Sequence, residues 1–127
     1  MDAYLAAEAL RALKAFSVLS AKPDLSGFLI GHKRGHRFFV ENIFPLPKGF
    51  QPTLENYHGL NRLLDGKIIG FFAFPATTVH KRRLFQPFAC GKMFLGVHFD
   101  KKGGLRFESY FIDYDDHFLA VPIKFQT

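Results

Sequence analysis

The sequence predicts a single α/β domain built on a mixed β-sheet, and three features carry that prediction. Lys67-Ile68-Ile69-Gly70-Phe71-Phe72-Ala73-Phe74-Pro75 is apolar after its first residue, the pattern of a strand covered on both faces. Ahead of it, residues 1–20 repeat apolar side chains at helical spacing. Behind it, three strand-length segments are separated by turns rich in glycine and aspartate.

The chain has 127 residues, the size of one domain spanning 1–127 and enough to bury roughly two-thirds of its unfolded surface. A composition 48% hydrophobic and 22% charged excludes disorder. Seventeen Phe and no Trp supply large apolar area that needs no hydrogen-bond partner. The formal charge of +6 permits a polyanionic partner but serves solubility equally well. The single cysteine, Cys90, excludes an internal disulfide and fits a reducing compartment, so a cytoplasmic location is expected. Asp2, Glu8, Arg11 and Lys14 interrupt the apolar N-terminus, which therefore reads neither as a targeting segment nor as a membrane span.

Taken in order, Leu5, Ala6, Ala9, Leu10, Leu13 and Phe16 form one stripe of a helix ending near Ser20, before Lys22-Pro23. Ser26–Gly31 and His36–Phe44 read as a hairpin turned by His32-Lys33-Arg34-Gly35. Pro52–Leu64 reads as a second helix burying Leu54, Tyr57, Leu60 and Leu64, with Gly59 weakening it. The central strand follows. Ala76–Gly91 reads as a loop that includes one helical turn. Lys92–Phe99, Leu105–Asp113 and His117–Phe125 then form a meander, with Pro122 placing the last strand at an edge.

Three segments in this order resemble the JAMM/MPN metalloisopeptidase family. Pro23-Asp24-Leu25-Ser26-Gly27-Phe28-Leu29-Ile30-Gly31 is similar to its opening strand, and Val40-Glu41-Asn42-Ile43-Phe44-Pro45 to its second. Ile68-Ile69-Gly70-Phe71-Phe72 is similar to the strand that precedes the family's His-x-His-Pro. The resemblance covers the chain to about Phe111 and implies a cytidine-deaminase-like MPN fold, a curved mixed sheet flanked by helices.

The departures from that pattern bear on function. Active members hold zinc with His-x-His and the Asp of Ser-x-x-Asp, and a Glu on the opening strand deprotonates the metal-bound water. Here the His-x-His position falls on Ala73, Phe74 and Pro75, and the Glu position falls near Asp24. No Asp or Glu lies between Asp65 and Asp100. The resemblance thus implies a degenerate member with no metal, no cofactor and no zinc chemistry, acting through a protein partner. That partner is expected to be a second copy or another MPN-like chain. The expected contact is the first helix, where Tyr4, Ala7, Ala15 and Val18 lie outside the buried stripe.

Two other readings compete. A hydrolase could use an unrecognised site around Asp24, His80 and Cys90. A nucleic-acid-binding domain could use the basic runs, with Lys33, Arg34, Arg37, Lys81, Arg82 and Arg83 as anion-binding residues. Those runs read first as solvated turns, Cys90 as small core filler, and His98 as the polar face of a hairpin.

Overall fold

The computed structural model describes residues 1–19, 24–46 and 54–127. Its elements are β1 (Asp2–Leu5), α1 (Ala7–Leu19), β2 (Leu25–Arg34), β3 (Arg37–Pro45), α2 (Leu54–Leu63), β4 (Ile68–Phe74) and α3 (Thr78–Arg83). A 3-10 turn at Pro87–Ala89 leads to β5 (Met93–Phe99), β6 (Leu105–Tyr114), β7 (Phe118–Pro122) and β8 (Lys124–Gln126). All eight strands form one curved sheet in the order β7-β6-β5-β4-β2-β3-β1-β8. The β4–β5, β1–β3 and β1–β8 pairs are parallel, and the other neighbours are antiparallel. The expected α/β class with a mixed sheet is what the chain adopts.

The sheet is nearly closed by one kinked terminal strand. β7 pairs with β6, and β8, two residues later, pairs with β1 at the opposite edge. Pro122, expected to mark an edge, sits where the strand changes partners, a place that needs no ladder donor. Ser109 holds the crossing: its backbone C=O accepts from Ile123 N–H at 3.1 Å, and its hydroxyl donates to the Ile123 C=O at 2.7 Å. The expected edge strand His117–Phe125 is therefore a bridge rather than an open edge.

β4 is buried along its whole length, because helices cover both faces of the sheet. One face packs Ile69, Phe72, Phe74, Leu95 and Val97 against Ala9 and Leu13 of α1. The other packs Phe28, Phe71, Phe94 and Ile112 against Tyr57 of α2 and Leu84 beyond α3. Phe71 lies 5.6 Å from the Phe28 ring and 5.8 Å from the Phe88 ring, within the range of favourable aromatic packing.

Several boundaries differ from the sequence reading. Residues 2–5 are a strand, not the start of the first helix: Ala3 and Leu5 are buried and Tyr4 between them is exposed, a period of two. Leu5 also fits the helical stripe with Ala9, so the Ala-rich helix masked the short strand. Tyr4 consequently belongs to β1 and packs on Phe39, while Ala7, Ala15 and Val18 lie exposed on α1. The hairpin turn is only Gly35-His36, with Gly35 at φ +61°, so His32, Lys33 and Arg34 are strand residues. Leu54 is exposed rather than buried, being the first residue of α2. The helical turn expected within Ala76–Gly91 is α3, six residues long, and the 3-10 turn follows it. Cys90 is exposed, not core filler. Ser20, Pro23 and Pro52 lie outside the described residues.

Candidate functional site

The register of the sheet fixes what surrounds the position where the resemblance would put a metal. Ser26, Ala73, Gly96 and Glu108 pair in one row across β2, β4, β5 and β6. Ala73 on that row is 1% exposed, and α3 covers it. The space between them is about 10 Å³, lined by Ser26, Ala73, His80, Arg83, Leu84 and Phe94, no more than one water needs. Phe74 points to the opposite face, where its ring lies 5.2 Å from that of Phe99. Pro75, joined by a cis peptide bond, offers no donor atom. Ala73, Phe74 and Pro75 carry none of the nitrogen, sulfur or carboxylate side-chain donors that zinc takes. Among the described residues, no three His, Cys, Asp or Glu side chains form a metal-holding group.

His80 has a structural position instead. Thr77 is the N-cap of α3: its hydroxyl accepts from His80 N–H, and His80 Nδ1 accepts from Thr77 N–H at 3.0 Å. This is a capping box with histidine where Glu or Gln is usual. Burial pushes the His80 pKa below the ordinary histidine value, the Arg83 charge adds to that shift, and the Asp24 charge opposes it. The lowered folded-state pKa fixes the sign of its effect. This contribution to stability is complete above the ordinary histidine range and is lost as pH falls through it towards the lowered value. Gln at position 80 can accept the same bond without titrating. Thermal midpoints at pH 5, 6, 7 and 8 should therefore show wild type losing more stability than His80→Gln on acidification. Parallel profiles would contradict the assignment.

Beside the closed row lies an open polar recess of about 350 Å³, lined by Ala76, Thr77, Thr78, Lys81 and Glu108. Glu108 accepts from Tyr110 Oη at 3.0 Å, and its other oxygen lies 2.9 Å from His98 Nε2 and 3.8 Å from Arg106. Lys81 Nζ sits 4.4 Å from the Tyr110 ring centre. Burial first, then the Glu108 carboxylate, raises the Tyr110 pKa. Gly96 makes room for the chain that borders the recess, since a Cβ there would meet Ala76 Cβ at 2.9 Å. Sequence reasoning passed over Glu108 and Tyr110. Their alternation on β6 was the available signal, but the partners come from β5 and α3, remote in sequence.

The other singled-out residues separate. Asp24 and His80 are close enough to interact electrostatically, but Cys90 is at the opposite end of the sheet, where Gly91 N–H bonds to the Ile112 C=O. The Asp24/His80/Cys90 site therefore loses its nucleophile. The two basic runs also lie at opposite ends of β2, a ten-residue strand roughly 30 Å long. Lys33 Nζ lies 5.2 Å and 5.5 Å from the Phe38 and Phe111 ring centres. Arg37 grips Asp2 through two nitrogens, at 2.9 and 2.7 Å, and this ion pair holds the Asp2 carboxyl below its usual pKa. Lys81, Arg82 and Arg83 are on α3, not in a turn. His32 stacks on Phe39 and lies 2.7 Å from Glu41.

No family model and no curated protein matches the chain. Its fold is similar to the solution structure of protein DSY2949 from Desulfitobacterium hafniense, with a TM-score of 0.65 over 97% of this chain and 92% of that one. At 17% identity that likeness shows a shared fold. Among the described residues, no helix is long and apolar enough to cross a membrane.

Proposed function

We propose that this chain is a degenerate JAMM/MPN-like domain that acts by binding other proteins. The observation that carries the reading is the closed row at Ala73. The position that the resemblance assigns to His-x-His holds a methyl group, a core ring and a proline, and side chains fill the space above it to about 10 Å³. The mixed sheet with helices on both faces is of the general α/β class that the resemblance implies. The partner reading draws on surface rather than on chemistry. Val18 is 85% and Leu19 81% exposed at the end of α1, apolar area that a second copy or another MPN-like chain could cover.

The nucleic-acid reading is weaker on geometry, since the basic runs face different ends and their Lys33, Arg37 and Lys81 side chains are engaged with rings or with Asp2. Elemental analysis of the purified protein tests the proposal, with far less than one zinc per chain expected. One zinc per chain, lost on His80→Ala, would overturn it.

A further inference from the structure

The surface carries an apolar groove that the closed row does not use. It lies at the Gly35-His36 hairpin end of the sheet, has a volume of about 440 Å³ and is lined by Pro87, Cys90, Tyr114 and Phe118. That volume is within the range of binding clefts. Its wall is braced from within: Phe118 stacks on Phe85 with the rings 6° from parallel, and Tyr114 meets Phe118 edge-on at 5.1 Å. Tyr114 is nonetheless 56% exposed. A braced, exposed aromatic beside a concave apolar wall has the form of an interaction anchor.

Charge says what kind of segment fits. Asp113 and Tyr114 end β6, and Asp115 and Asp116 follow in the turn to β7, on a chain whose net charge is +6. The Asp113 carboxylate accepts from Tyr114 N–H at 2.8 Å and so fixes the turn. Asp115 and Asp116 are exposed, and among the described residues neither forms an ion pair. Two cations at the same end are engaged elsewhere. Lys92 lies over the Tyr57 ring, and Lys33 over rings packed on the other face of the sheet.

We propose that this groove docks a partner protein's segment in which an apolar side chain is flanked by lysine or arginine. The apolar residue fills the space between Pro87 and Phe118 and packs on Tyr114, while the flanking cations meet Asp115 and Asp116. The proposal rests on the interaction reading only for a protein partner, and the zinc measurement tests that reading separately.

The test is fluorescence anisotropy of a labelled 12-residue peptide bearing one Leu among Lys and Arg, titrated with the full chain. Saturable binding is expected, weakened by added salt. Replacing the peptide's Leu by Ala, or its cations by Glu, should weaken it by about tenfold or more. Tyr114→Ala and the Asp115→Asn, Asp116→Asn pair should each do the same, with thermal midpoints showing both variants folded. Absence of saturation at millimolar protein, or wild-type affinity in either variant, would overturn the proposal. So would sedimentation showing a wild-type dimer that Tyr114→Ala dissociates, because the occupant would then be a second copy. A zinc-free protein that binds no peptide would refute the groove alone, and a zinc-bearing protein that binds it would refute the scaffold reading alone.

Discussion

Phe71→Ala should lower stability by roughly 3–5 kcal/mol, the cost of truncating a fully buried ring. Phe71 has no exposed surface and sits among Phe28, Tyr57 and Phe88, where β4 meets α2 and the 3-10 turn. Removing it opens a cavity that three neighbouring rings cannot fill without leaving their own packing. Domains of this size have a total stability of about 5–15 kcal/mol, so the variant should be marginal. With a urea dependence of about 1–3 kcal/mol per molar, the denaturation midpoint should fall by more than ~1 M. An unchanged midpoint would mean that β4 is not the covered central strand.

Gly31→Val should be nearly as damaging, for the opposite reason. Gly31 is buried beside an irregularity in the β2–β3 ladder. A Cβ there would lie 1.9 Å from the Phe39 carbonyl oxygen and 3.1 Å from the Glu41 nitrogen. Both are backbone atoms, so no side chain can swing aside, and the two strands must separate. Overpacking costs typically ~1–3 kcal/mol, and a clash with backbone belongs at the top of that range. Gly59→Ala in α2 is the matched control. Nothing lies within 4 Å of its new Cβ, and the change should stabilise by about 0.5–1 kcal/mol. Equal midpoints for the two variants would show that the β2–β3 contact is not tight.

What the sequence revealed follows from how far each signal reaches along the chain. Seven consecutive buried residues of β4 were legible because burial on both faces leaves an unbroken apolar run. Both Phe72 and Phe74 are buried, as that run requires. The β2–β3 and β5–β6 hairpins were legible from local turn chemistry, although the first turn is Gly35-His36 alone. β1 was not, because a four-residue strand beside an Ala-rich helix shares its apolar positions with the helical stripe. α3 was expected only as an unplaced helical turn, because its start depends on Thr77 and His80 capping each other, and histidine is not the residue that such a box normally shows. The passage of β7 into β8 could not be read at all. A change of partners at Pro122 is decided by Ser109, fourteen residues from Ile123 in the chain.

The same reach limited the reading of the site. That Ala73, Phe74 and Pro75 provide no ligand follows from their side chains alone. Whether the space above Ala73 is open depends on α3 packing down through Leu84, which no local pattern announces. Grouping Asp24, His80 and Cys90 failed because the helix and turn after β4 carry the chain to the other end of the sheet before Cys90. The Glu108–His98–Tyr110 cluster lay hidden in the pairing of β5 with β6.

The space above Ala73 has no room for zinc, and Ala73, Phe74 and Pro75 offer it no side-chain ligand. The most direct test is the zinc content per chain of the purified protein, measured as isolated and again after incubation with a slight excess of zinc followed by dialysis. The closed row predicts far less than one equivalent in both samples, with His80→Ala no different from wild type. A stoichiometric zinc that survives dialysis in wild type and disappears in His80→Ala would contradict it.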